Sequence, residues 1–175
     1  TLGTMPWASM AVDFGDLDGD GRDDFVAAEM LGATHRRRMV QRSNLETAAL
    51  PRLGWGWRAG VWMQDVQAMR GTLHWNRGDG TFAEVGRLSG VSATDWTWGL
   101  ALMDVDLDGR EDLLVANGHS RDHLHSDAQA VLAGLPVART VAEREAMFSR
   151  VPPLRVPKRA YRNEGELRFK DVSRE

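Results

Sequence analysis

The sequence predicts a mainly β chain built from two copies of one antiparallel unit of about four strands, with short helical insertions. Three observations carry this reading. Asp16-Leu17-Asp18-Gly19-Asp20-Gly21-Arg22-Asp23-Asp24 returns as Asp104-Val105-Asp106-Leu107-Asp108-Gly109-Arg110-Glu111-Asp112, an offset of 104 − 16 = 88. A second stretch, Asn76-Arg77-Gly78-Asp79-Gly80-Thr81-Phe82-Ala83-Glu84-Val85, returns as Asn163-Glu164-Gly165-Glu166-Leu167-Arg168-Phe169-Lys170-Asp171-Val172, an offset of 163 − 76 = 87. Third, the 18 Gly among 175 residues collect in short acidic or aromatic stretches, the mark of a turn-rich architecture. Two distinct motifs repeating in one order at nearly one spacing imply duplicated structural units.

Each acidic loop is flanked by apolar runs of strand length. Met10-Ala11-Val12 and Phe25-Val26-Ala27-Ala28 bracket the first, and Trp98 to Met103 and Leu113-Leu114-Val115-Ala116 bracket the second. A second hairpin joins residues around Met69 to Trp75 with Thr81 to Val85, across glycines that supply the positive φ of a tight turn. Two hairpins give about four strands per unit, the content of one propeller blade or one small sheet. The chain thus reads as a single repeat region over 1–175, with one unit at about 5–90 and a second at about 91–175.

Long insertions separate the hairpins, at 31–66 and 119–160. In the later one, Ser126 with Gln129 and Thr140 with Glu143 have the spacing of capping boxes, which predicts helices near 127–134 and 141–149. Pro152, Pro153 and Pro157 then impose an extended return toward Tyr161. The earlier insertion holds Thr34-His35-Arg36-Arg37-Arg38 and Leu53-Gly54-Trp55-Gly56-Trp57, with no pattern that assigns its structure.

Composition narrows the classes. The formal charge of −3 gives no bulk attraction for nucleic acid or anionic membranes. At 42% hydrophobic and 27% charged, 175 residues suffice for one domain with a real core. Without Cys there is no disulfide framework, thiolate zinc site or cysteine nucleophile. No apolar run approaches the ~18 residues of a membrane span, so membrane insertion is not expected. The start, Thr1-Leu2-Gly3-Thr4, has neither an initiator Met nor a signal pattern, so the chain is read as a piece of a larger protein.

Four carboxylates within nine residues repel one another unless a hard cation neutralises them. In Asp-x-Asp-x-Asp-Gly-x-x-Asp, positions 1, 3 and 5 can turn oxygens inward, Gly at position 6 permits the bend, and the position 7 carbonyl points back. An all-oxygen donor set suits Ca²⁺ over Zn²⁺. The expected ligands are Asp16, Asp18, Asp20, the Arg22 carbonyl and Asp24, with Asp104, Asp106, Asp108, the Arg110 carbonyl and Asp112, giving two Ca²⁺ sites. An EF-hand would need Glu at position 12, where this chain has Ala27 and Val115.

The acidic loop after Phe14-Gly15, with Asn-x-Gly-Asp-Gly-Thr-Phe-x-Glu-Val between copies, resembles the FG-GAP/VCBS repeat family. Trp96-Thr97-Trp98-Gly99 through Asn117-Gly118-His119, with Tyr161-Arg162-Asn163-Glu164-Gly165, is similar to its bacterial branch related to cartilage acidic protein, often joined to an ASPIC/UnbV module. The resemblance covers about 5–30, 72–120 and 159–173, and only the acidic loop carries over intact. It implies blades of an integrin-α-like β-propeller, a structural Ca²⁺ in each acidic loop, an extracellular or periplasmic location, and a binding or adhesion role without a shared catalytic activity. Two units cannot close a propeller, so further blades from the same parent chain or another subunit are expected.

Trp55, Trp57 and Trp62 lie in one region and Trp96 and Trp98 in another. Trp96 and Trp98 are assigned to core packing; Trp55 and Trp57, in a Gly-rich insertion, are candidates to stack on a glycan. His119, His123 and His125 stand beside Asp122 and Asp127 in a spacing that matches no metal motif and reads as a polar loop entering a helix. Arg36, Arg37 and Arg38 read as a solvated turn. No catalytic residue is assigned, and no phosphate loop, nucleophile elbow or zinc-protease signature is present. The sequence reading is a calcium-binding propeller segment with a glycan or protein ligand. Its alternative is the scaffold of a polysaccharide-active lyase or hydrolase with its site on the insertion loops near His119 and His123.

Overall fold

A computed structural model describes residues 2–6, 9–47 and 66–174. Trp55 and Trp57, the candidates to stack on a glycan, lie outside the described residues, as does Trp62. The strands are β1 (Thr4–Pro6), β2 (Ala11–Gly15), β3 (Asp24–Ala28), β4 (Val66–Ala68), β5 (Thr72–Asn76), β6 (Phe82–Glu84), β7 (Thr97–Met103), β8 (Asp112–Asn117), β9 (Arg159–Asn163) and β10 (Phe169–Asp171). Helix α1 (His35–Thr47) follows β3, while α2 (Ser126–Ala133) and α3 (Val141–Ser149) follow β8.

Two four-stranded antiparallel sheets, β2-β3-β5-β6 and β7-β8-β9-β10, each run as a meander in chain order. This is the blade architecture expected from the sequence, with helices inserted after the second strand of each sheet. β1 and β4 form a separate parallel pair. The chain divides into two compact units: residues 1–33, 59–118 and 156–175, which hold both sheets, and residues 34–58 and 119–155.

In the first unit, strand alternation builds the core. Val26 and Leu73 are opposite one another on β3 and β5, and join Leu17 and Val91. The second sheet contributes Leu113, Val115 and Tyr161, with Leu167 and Phe169 from its last hairpin. Leu100 and Leu102 of β7 pack against this cluster, as do Trp75 and Val85. Trp96 is buried as expected, whereas Trp98 is 49% exposed, with its ring stacked on Trp96 at a centroid distance of 6.4 Å. The strand irregularity between Thr97 and Gly99 accounts for this departure, because it interrupts the alternation that would have kept Trp98 on an inner face.

The second unit bears out one local expectation and corrects two, the cap of α2 and the reading of Arg36, Arg37 and Arg38 as a turn, since these residues lie in the first turn of helix α1. Thr140 caps α3 as a full capping box with Glu143, as read from the sequence. In α2 the cap is His125, whose side chain accepts from Ala128 N, and Ser126 is already helical. The Ser126 hydroxyl instead donates to the Val40 carbonyl, which takes it out of competition for the cap. The earlier insertion contains α1, opened by Thr34: its hydroxyl accepts from Arg37 N at 3.2 Å and its carbonyl from Arg38 N at 3.0 Å.

Candidate metal centre

Each acidic loop closes the hairpin between the first two strands of its sheet, β2 to β3 and β7 to β8. The first residue of the loop organises its backbone. Asp16 Oδ1 accepts from Gly19 N and Asp20 N, and Oδ2 accepts from Gly21 N, all at 2.9 Å. Asp104 does the same in the second loop, accepting from Asp108 N at 3.0 Å and Gly109 N at 2.9 Å. Position 6 needs a left-handed backbone, with φ of 83° at Gly21 and 88° at Gly109. Position 4 is also left-handed, at 78° for Gly19 and 62° for Leu107, so the second loop holds a branched side chain in a conformation that favours glycine.

The fold gathers Asp16, Asp18 and Asp20 so that one carboxylate oxygen from each lies within 4.8 Å of the others, and it gathers Asp104, Asp106 and Asp108 in the same way. Among the described residues these are the groups of three or more side chains suited to hold a metal. The donors are carboxylates only, the chemistry of a hard cation.

The ninth residue of each loop sits deeper. Asp24 is 1% exposed, with Oδ1 accepting from Asn76 N at 2.8 Å and Oδ2 from Leu17 N at 3.2 Å. Asp112 accepts from Asn163 N at 2.9 Å and Val105 N at 3.3 Å. These carboxylates fasten the loop to the third strand of the sheet. Burial pushes the Asp24 carboxyl up to about 6, and the charges of Asp18 and Asp20 add to the rise against the pull of its two backbone amides.

Arg22 and Arg110, expected to contribute carbonyls, also have a side-chain role. Arg22 pairs with Asp20 and donates from Nε to the Asn76 carbonyl at 3.4 Å. Arg110 pairs with Asp108 at 2.6 Å and donates from Nε to the Asn163 carbonyl at 3.2 Å. In the first loop Trp75 Nε1 donates to Asp18 Oδ2 at 2.6 Å.

Asn76 and Asn163 are the site residues that the sequence reading treated only as hairpin residues. Asn76 Nδ2 donates to the Asp23 carbonyl at 3.1 Å, while its Oδ1 accepts from Gly78 N at 3.0 Å. Asn163 Nδ2 donates to the carbonyls of Leu17, at 2.9 Å, and Glu111, at 3.2 Å, while its Oδ1 accepts from Gly165 N at 2.9 Å. One buried amide therefore joins both acidic loops to the last hairpin. The available signal was the return of Asn at the same place in both copies of the second motif.

The histidines have other partners. The rings of His119 and His123 meet edge to face at 4.7 Å, and His123 meets Phe148 at 5.5 Å. Burial lowers the pKa of His123, and His119 adds to the effect. His119 Nδ1 lies 3.0 Å from the Arg121 carbonyl, and His125 is the α2 cap.

Residues 55–115 match the family model described as FG-GAP-like repeat. The match spans β4 to most of β8, and so takes in the second acidic loop together with the last two strands of the first sheet. No curated protein and no solved structure gives a match. The repeated acidic hairpins and the blade-like meanders agree with that match, so residues 55–115 of this chain are similar to an FG-GAP-like repeat.

Proposed function

We propose that each acidic loop binds one Ca²⁺ and that the chain is a calcium-stabilised propeller segment acting as a binding or adhesion scaffold outside the cell or in the periplasm. The observation that carries the reading is the twice-built triplet of carboxylates, Asp16, Asp18 and Asp20 and again Asp104, Asp106 and Asp108. Ca²⁺ would add the Arg22 and Arg110 carbonyls and the Asp24 and Asp112 carboxylates to those triplets, and would displace the guanidiniums that pair with Asp20 and Asp108. Its chemistry there is structural: it offsets carboxylate repulsion and favours the folded hairpin. With free Ca²⁺ at about 2 mM and a dissociation constant of about 0.1 mM, each site would contribute about 1.8 kcal/mol. That affinity suits an extracellular or periplasmic setting.

The need for further blades is supported by the outer face of the first sheet. Val12 and Phe14 of β2 correspond through the repeat to Leu100 and Leu102, which pack on the core, yet they are 54% and 60% exposed. Such an apolar face fits a neighbouring blade from the parent chain or another subunit. The ligand of the scaffold is taken as a glycan or a protein.

Thermal unfolding with chelator, with Ca²⁺ and with Mg²⁺ tests the reading, in the wild type and in Asp108→Ala. A rise specific to Ca²⁺ and reduced in the variant is expected. A folded protein whose melting is indifferent to Ca²⁺ would remove the metal assignment.

A further inference from the structure

The second unit carries a cationic cleft that the calcium reading does not use. Helix α1 opens with His35, Arg36, Arg37 and Arg38 and has no acidic residue in its first turn. The macrodipole favours anions at that end, so three guanidiniums there stand against the field. Arg37 is committed to Asp122, a residue only 3% exposed: Nη1 pairs with Oδ2, and Nη2 lies 3.4 Å from Oδ1. The side chains of Arg36 and Arg155 have no hydrogen-bond or ion-pair partner among the described residues.

Arg36, Arg37 and Arg155 all line one cleft of about 570 Å³. Asp122 and His125 also line it, so three arginines share the cleft with one carboxylate and one imidazole, and the formal charge with His125 neutral is two positive. Val40, Pro153 and Leu154 give the same cleft an apolar wall. The chain as a whole has a charge of −3, so this local excess runs against the bulk composition. Guanidiniums present paired N–H donors matched to the oxygens of sulfate, phosphate and carboxylate groups, and fixing one of them in a buried ion pair gives the site a rigid side.

We propose that this cleft is an oxyanion site, in which Arg36 and Arg155 hold a sulfate, phosphate or carboxylate group and the apolar wall receives the body that bears it. The inference does not rest on the calcium loops, and either could fail alone.

Calorimetric titration of the whole chain at low ionic strength tests it, with three probes: inorganic sulfate, inorganic phosphate, and a disaccharide carrying sulfate and uronate groups. Saturable binding of at least one probe is expected, weakened at least about tenfold in Arg36→Ala/Arg155→Ala and partly kept in Arg36→Lys/Arg155→Lys. Tighter binding of the disaccharide would identify a sugar-borne group as the source, and equal or tighter binding of the inorganic ions would identify a free oxyanion. Should the double alanine variant lose its fold, Arg155→Gln alone, at an exposed position outside any helix, gives the same comparison. No saturable binding of any probe, or unchanged affinity in the charge-removed variant, would overturn the proposal.

Discussion

The carboxylate of Glu111 lies directly over Gly15, so close that a Cβ on residue 15 would fall 1.9 Å from Glu111 Oε2 and 3.2 Å from a methyl of Leu102. Gly15 ends β2 in the first sheet, and Glu111 is the eighth residue of the second acidic loop. The missing side chain at 15 is thus what admits the second loop to the first sheet. Asp13 ties the same edge, accepting from Leu102 N at 2.9 Å. Gly15→Ala forces the Glu111 carboxylate, the far end of a flexible side chain, to swing aside, and is expected to destabilise the protein by about 1 kcal/mol, the low end of overpacking costs. Glu111→Ala should relieve most of that cost, and a double-mutant cycle in denaturant reads the coupling.

The amide of Asn163 serves both loops, while that of Asn76 serves one. Asn163→Ala would strand the carbonyls of Leu17 and Glu111 and remove the acceptor for Gly165 N, a loss of about 2–4 kcal/mol. Asn76→Ala, at a more exposed site with one such carbonyl, should cost about 1 kcal/mol. Equal effects of the two substitutions in chemical denaturation would contradict this account of the clamp.

Leu107 occupies a left-handed position, with φ of 62°, and is 86% exposed. It buries little in exchange for its backbone strain. Leu107→Gly, which restores the residue type of Gly19, should stabilise the second loop by up to about 1 kcal/mol after the entropy of glycine is counted. Differential melting of the two proteins in chelator isolates the backbone effect from any metal effect.

Trp75 gives the first loop an optical reporter that the second lacks, because its indole N–H is bound to Asp18. Ca²⁺ capturing that carboxylate should change the emission of Trp75. The change is expected to vanish in Trp75→Phe and in Asp16→Asn, and to persist in Asp104→Asn. Persistence of the signal in Trp75→Phe would assign it to another tryptophan.

His74 is fully buried against Phe25, with the rings stacked at 4.4 Å, and neither ring nitrogen has a hydrogen-bond partner among the described residues. Burial lowers its pKa, with Arg70 adding to the effect and Glu84 opposing it. Between the unfolded value near 6.5 and the lowered folded value, the unfolded chain binds more protons than the folded one. The His74 contribution to stability therefore falls as the pH drops below about 6.5, at up to about 1.4 kcal/mol per unit, while the raised Asp24 carboxyl works the other way below about 6. His74→Phe should flatten that slope in urea melts taken at a series of pH values.

The sequence by itself determined the local matters. The alternation of apolar residues around two Asp-rich turns set the hairpins, and the return of two motifs at offsets of 88 and 87 set their duplication. The Thr140 and Glu143 pair determined the start of α3, because a capping box is satisfied within four residues. Glycines at 21 and 109 marked the bends, since few other residues adopt that backbone conformation.

What required tertiary structure was everything that depends on distant partners. That Asp24 and Asp112 would be buried latches to Asn76 and Asn163, 52 and 51 residues away, is not written in nine residues of loop. That Asn163 would reach Leu17 across 146 residues depends on how the two sheets pack. Ser126 lost its capping role to His125 because its hydroxyl found the Val40 carbonyl, 86 residues distant. Strand periodicity is a local property of the chain, whereas the destination of a buried polar group is decided by which desolvated donor or acceptor the finished fold brings opposite it.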